Sequence, residues 1–350
     1  MSWYSNRPQA LNQEARARAI ERQNNLTKPA GSLGLLEEIA IRFSGLLGDA
    51  PSIKNPRVFV FAADHGVAEE NVSAFPQAVT GEMVRNFSNG GAAICVLSNE
   101  CNAELEVIQL GTVNDPGEMP GVVREWVAPT SSNIAMQQAM TEEQCTVAMQ
   151  AGKNAVQRAV EHGSNIIVGG DMGIANTTAA TALICAYLGH DPINIAGPGT
   201  GLDKSGVLHK AAVVERALVL HEPKAKQPIE ILQSLGGFEI AALAATYIAA
   251  AQAGIVSVVD GFIASSAALA AVKINSEVGP WLQLSHRSAE PGFAIVEEAL
   301  VQAGAGVPLL DFQMRLGEGS GAALVLPLLR TACRVHNEMA TFAEAGVSEG

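Results

Sequence analysis

The run Arg57-Val-Phe-Val-Phe-Ala-Ala63, which ends in Asp64-His65-Gly66, decides how this chain is read. Past the arginine there is no polar position, so the segment cannot alternate between core and water. Such a run forms a strand buried on both faces, as in parallel sheets covered by helices on each side. Similar short apolar runs recur at 105–110, 165–168, 193–196, 255–259 and 281–284. Several of them end in glycine or polar residues: Gly111, Gly169-Gly170-Asp171, Gly197, Asp260-Gly261 and Ser285-His286.

Between most of these runs the apolar period lengthens to that of a helix, over 80–97, 141–162, 175–187, 206–220, 238–253 and 265–274. Strand and helix in alternation predict an α/β fold with a mostly parallel sheet and helices on both faces. In open sheets of this kind ligands bind at the carboxyl ends of the strands. The glycine and polar clusters would gather there. Helical patterns at 9–23 and 33–47, the second with Ser32 as its expected cap, precede the first strand, and another at 320–343 follows the last. These ends are expected to form a small helical domain from 1–50 and 324–350, beside an α/β catalytic domain over 51–323.

Composition narrows the function. Hydrophobic residues make up 48% of the 350 residues, enough for a large core. The net charge of −13 argues against nucleic acid or an anionic membrane as partner, yet leaves room for a small anion held by a few amides and one lysine. The five cysteines show no metal spacing, which predicts reduced thiols and no metal. The polar stretch 1–10 predicts no signal peptide. The Ala-rich stretch 240–253 reads as a buried helix, not a membrane span. A cytoplasmic chain is expected.

Three segments carry candidate chemistry. The first is Gly169-Gly170-Asp171-Met172-Gly173-Ile174-Ala175-Asn176-Thr177-Thr178. Glycines there admit an anion to the backbone, and the first free helix amides would point at it. The segment reads either as a phosphate or ribose site or as a tight turn with a helix cap. Asp171 would either answer a positive charge developing on the ribose or cap the helix. The second is Gly197-Pro198-Gly199-Thr200-Gly201-Leu202-Asp203, with Lys210 either a cation for a ligand or an exposed helical lysine. The third is Met314-Arg315-Leu316-Gly317-Glu318-Gly319-Ser320. Flanking glycines uncover Glu318, and its partly apolar setting would raise the carboxyl toward the working range of a general base. The alternative is a glutamate that merely complements a helix dipole. Asp64-His65 is taken as a hydrogen-bonded structural pair.

Taken together, these segments resemble the nicotinate-nucleotide–dimethylbenzimidazole phosphoribosyltransferase family. The resemblance extends through Lys28-Pro-Ala-Gly-Ser-Leu-Gly34, Phe75-Pro76-Gln77, Gly236-Gly237-Phe238-Glu239, Asp260-Gly261-Phe262 and Ser285-His-Arg-Ser-Ala-Glu-Pro-Gly292. It implies a Rossmann-like sheet and a homodimer with shared active sites. It also implies phosphoribosyl transfer from nicotinate mononucleotide to a benzimidazole-type base, without a cofactor, in assembly of the lower ligand of cobalamin. Glu318 would be the catalytic glutamate, assisted by Asp171. Gly173, Ile174, Asn176, Thr177, Thr178, Gly199, Gly201, Asp203 and Lys210 would bind the nucleotide, with Ser288 supplied by a partner subunit. Phe75, Glu82, Met83, Met314 and Leu316 would form the acceptor-base pocket. Members of that family often carry glutamate at Asp171, arginine at Pro198 and glutamine at Glu82. Those departures leave open the same transfer to adenine, another benzimidazole or a phenol, or a non-catalytic nucleotide-binding relative. A dinucleotide-dependent dehydrogenase would need a G-x-G-x-x-G turn where Asp64-His65-Gly66 stands.

Overall fold

The computed structural model describes residues Ser2–Ser348. Six strands form one parallel sheet: β1 Arg57–Ala63, β2 Glu104–Gly111, β3 Val122–Arg124, β4 Ile166–Met172, β5 Val256–Val259 and β6 Leu282–Leu284. Their order is β3-β2-β1-β4-β5-β6. The chain winds outward from β1 in one direction and then from β4 in the other. The crevice above the β1–β4 boundary is therefore the topological switch point, where crossovers diverge and leave room for a ligand.

All seven residues of β1 are buried, as its unbroken apolar run requires. Two consecutive glycines in β4 show how closely both faces are covered. Because successive positions face opposite sides, a Cβ on Gly169 would meet Tyr247 and Leu243 of the helix Phe238–Ala253. A Cβ on Gly170 would meet the backbone of Glu318 and Gly319, at the start of the helix Ser320–Glu338. The helix Phe238–Ala253 is apolar all round because it is enclosed, with nearly every residue buried. Among the described residues no helix is long and apolar enough to cross a membrane. The helices Gln13–Asn25, Leu35–Leu47 and Ser320–Glu338 pack together. Arg22 ties the first to the last by donating to the carbonyls of His336, Asn337 and Met339.

Four local expectations change. Residues 193–196 are not a strand: Asp191-Pro192 starts a short helix, Pro192–Ile195, because proline presets the first helical turn. The sixth strand is instead β3, three residues long and too short to show a period. Ser32 caps nothing. The second helix begins at Leu35 after Gly34 (φ 53°), and the Glu37 carboxylate accepts from the Leu33 amide and pairs with Lys28. The stretch 80–97 is two helices, Ala78–Ser88 and Ala93–Glu100, parted at Asn89-Gly90-Gly91, where Gly90 takes φ 74°. That break turns the second helix's amino end toward the sheet's carboxyl edge. The last helical stretch ends at Glu338, and Phe342–Ala345 follows as a separate turn of helix.

Candidate active site

Every strand from β1 to β6, except the short β3, delivers a polar residue to the carboxyl edge of the sheet. Beneath this edge, Asp64 accepts from Thr80 Oγ1 at 2.6 Å and from the Val113 amide at 2.9 Å. Thr80 Oγ1 in turn accepts the Ile174 amide at 3.1 Å, so a three-residue chain anchors the turn after β4. Burial pushes the Asp64 carboxyl up to about 6. His65 Nε2 lies 2.5 Å from Glu239 Oε1, directly under Gly173. Asp64 and His65 are thus not the hydrogen-bonded pair expected: each bonds to a different element.

Above them lies a cavity of about 430 Å³. Of the residues marked from sequence, Phe75, Met83, Asp171, Gly173, Ile174, Asn176, Thr177, Gly199, Ser288, Leu316 and Glu318 line it. The remainder stand elsewhere. Glu82 is exposed, because one helical step rotates it away from the face that carries Val79 and Met83. Thr178 is fully buried and does not line the cavity. Asp203 caps the helix Lys204–His221 through the Gly206 amide, and Gly201 (φ 109°) serves the turn before it. The Met314 carbonyl accepts from the Ala289 amide, with the side chain off the wall. Lys210 is 1% exposed, so it is no surface lysine. Its Nζ donates to Thr177 Oγ1 at 3.1 Å and to the Gly197 carbonyl at 3.0 Å, one layer behind the cavity. Burial lowers Lys210 to about 8, opposed by Glu290. Ser288 and Glu318 of one chain line the same cavity.

Glu318 sits at the junction of loop and helix with φ 63°, between Gly317 (φ 89°) and Gly319 (φ 85°). Its amide donates to the Asp171 carbonyl at 3.2 Å, and its Oε2 accepts the Ile94 amide at 3.4 Å. Burial raises its carboxyl; the Ile94 amide opposes this and Asp260 adds to it. Asp171 caps nothing: its Oδ2 accepts from the Asn176 side chain at 3.0 Å, and the N-cap of that helix is Ala175. Burial, then Asp260 and Glu239, push the Asp171 carboxyl well above its ordinary value.

Several lining residues carried no separate signal in the sequence. Glu290 is buried, and its Oε1 accepts the Gly199 amide at 3.1 Å. Arg315 donates to the Gly199 carbonyl at 2.7 Å. Phe262, Ile263 and His286 close the β5–β6 side. The cavity is polarised as a result. Asp171 and Glu318, backed by Asp260, form an acidic floor; Lys210 and Arg315 brace the Gly197–Gly201 loop; Phe75, Val79, Met83 and Leu316 make an apolar wall.

A family model described as phosphoribosyltransferase matches residues 9–347. A nicotinate-nucleotide–dimethylbenzimidazole phosphoribosyltransferase of Xanthomonas euvesicatoria pv. vesicatoria is 56% identical over 335 residues, 95% of each chain. The chain belongs to this family. A member from Pseudomonas aeruginosa is 53% identical over 350 residues, 100% of this chain and 99% of that one. The crystal structure of the phosphoribosyltransferase of the same name from Thermus thermophilus superimposes with a TM-score of 0.91 at 42% identity, over 97% of this chain and 100% of that one. Among the described residues no group of three or more His, Cys, Asp or Glu side chains could hold a metal ion. The polar groups that face or brace the cavity are its carboxylates, backbone amides, Lys210 and Arg315.

Proposed function

We propose that this chain transfers the 5-phosphoribosyl group of nicotinate mononucleotide to 5,6-dimethylbenzimidazole, releasing nicotinate and forming α-ribazole 5′-phosphate in the assembly of the lower ligand of cobalamin. The pyridinium nitrogen of the donor is already positive. It leaves C1′ with the bonding pair as a neutral pyridine and needs no acid. The acceptor attacks with one imidazole nitrogen and must lose the proton on the other. Attack from the face opposite the leaving group turns a β-glycoside into an α-riboside.

One observation carries this reading. Glu318 is a glycine-framed, 5% exposed carboxyl at the floor of the cavity, held by a single amide and raised by burial toward the range of a general base. The apolar wall suits a flat aromatic acceptor. Lys210, Thr177 and the Gly197–Gly201 loop suit the donor's anionic groups. Burial disfavours the ionised form of the Asp171 carboxyl. The donor's positive ring would draw it toward the ionised form, leaving a carboxylate beside the charge that develops at C1′. Adenine fits less well, because Glu82 faces outward and leaves its polar edge unmet. The test is incubation of Glu318→Gln with nicotinate mononucleotide and a panel of bases, read by mass spectrometry. A loss of about 10²–10⁴-fold with donor affinity preserved is expected. Near-normal turnover would remove Glu318 from the mechanism.

The two chain ends are read as one small helical unit beside the α/β body, and the chain as a cytoplasmic homodimer. A broad groove beside Ser288 and Glu290, and the exposed Phe312 and Leu316 near it, offer a second copy an apolar face. Sedimentation under assay conditions checks this; a monomer would count against it.

A further inference from the structure

The helix Ser320–Glu338 begins without a capping side chain, because its N-cap is Gly319. The first amides of a helix have no partners of their own and must find them elsewhere. Here the partner comes from another element, the end of β5. Asp260 Oδ2 accepts the Gly319 amide at 3.2 Å and Oδ1 accepts the Ala322 amide at 2.9 Å. Asp260 is 1% exposed, and His286 Nδ1 lies 3.8 Å from Oδ1. Both carboxylate oxygens are engaged as acceptors, an arrangement that neither a carboxylic acid nor an amide can reproduce in full. Burial pushes Asp260 up; His286 and the Ala322, Gly261 and Gly319 amides pull it back.

Residue 318 is a non-glycine held left-handed between two left-handed glycines. Such a conformation persists only where its surroundings over-determine it. We propose that Asp260 is a positioning residue for Glu318: as the remote cap of the helix it locks the turn that aims the Glu318 carboxyl, and its own charge keeps that carboxyl a competent proton acceptor. This rests on Glu318 being the base. The groups facing Glu318 are Asp171 at the end of β4, Asp260 and His286 at the ends of β5 and β6, Cys95 and the Ile94 amide from the helix Ala93–Glu100, and Arg315 on its own loop. The His65–Glu239 pair lies behind Gly173. Of these, Asp260 is the carboxylate tied to the Glu318 turn by two hydrogen bonds.

The experiment compares the pH profiles of the parent, Asp260→Asn and Glu318→Gln. An asparagine keeps one acceptor, sets an N–H against the second amide and removes the charge. A negative neighbour raises a carboxyl, so its removal lets Glu318 stay ionised to lower pH. The acid limb of kcat/KM should therefore move to lower pH. At the same time kcat should fall about 10- to 100-fold, the scale of a roughly 1 Å misplacement, with the donor KM within about twofold. Apart from His286, which loses its neighbour Asp260, the other facing groups are common to both proteins. A folded Asp260→Asn whose acid limb stays at the parent's position overturns the inference. If asparagine does not fold, Asp260→Ser is judged by the same shift. If neither folds, Asp260→Glu, which keeps the charge but displaces both acceptor oxygens, decides: a kcat within about twofold of the parent overturns the positioning role, and a fall of about 10-fold or more supports it. Glu318→Gln separates the two readings. If it stays active, the base assignment fails first; if it is inactive while the Asp260 variant keeps the parent profile, only the role of Asp260 fails.

Discussion

A Cβ added to Gly170 would strike the carbonyl group of Glu318 and stand 2.7 Å from the nitrogen of Gly319. The obstacle is backbone on both sides, so neither partner can swing aside as a long side chain would. Gly170→Ala should therefore lift the Glu318 turn off the sheet. Overpacking of this kind costs about 1–3 kcal/mol, readable as a lower melting temperature, and kcat should fall with it. Gly90, where a Cβ meets nothing within 4 Å, is the control for handling effects; it is also left-handed, so a small loss of stability with full activity is expected there. Equal activity of Gly170→Ala and parent would mean that the turn does not depend on this contact.

Asp171 offers a test that combines catalysis and pH. Its folded carboxyl is raised above the unfolded value, so the native state binds the extra proton over the window between them. Stability from this group is full below the ordinary aspartate range and is lost as pH rises through the raised value. Asp171→Asn removes that dependence. Its melting temperature should equal or exceed the parent's at about pH 8, and the advantage should shrink toward about pH 4. Turnover should nevertheless fall, by up to about 100-fold, while Asp171→Glu keeps or raises it. An Asp171→Asn enzyme as active as the parent would end the catalytic role; since the residue caps no helix, capping would not replace it.

Lys210 titrates near working pH. Burial lowers it to about 8, so its cation is lost as pH rises through that value. The donor's KM should climb between about pH 7 and 9 and stay flat below. Lys210→Met should show a KM raised by roughly tenfold or more, the scale of losing the charge-assisted hydrogen bonds by which it braces Thr177 and Gly197, and no further rise over the same range. A parent KM that does not change across this interval would show that the ammonium is not used for binding.

The amino-acid pattern alone determined the alternation of buried strands and helices, the edge of the sheet at which polar residues collect, and the glycine frame that singles out Glu318. Each is a local property: side-chain period, turn chemistry and the absence of Cβ atoms can all be read within a short window of sequence. Tertiary structure decided the rest. Whether Lys210 is a surface lysine or a buried cation depends on Thr177 and Gly197, far from it in helix register but 3.1 and 3.0 Å away in space. Whether Glu82 or Met83 faces the acceptor depends on how one helix is rotated against the sheet, and a rotation of about 100° is invisible where both faces are mixed. The cap that Asp260 supplies to a helix far along the chain has no sequence signature, because a carboxylate can reach an amide from any element that packs beside it. The upward shifts of the Asp171 and Glu318 carboxyls follow from burial and from the nearby Asp260. A sequence shows which groups can ionise; only the packing sets how much water and how many like charges each one meets.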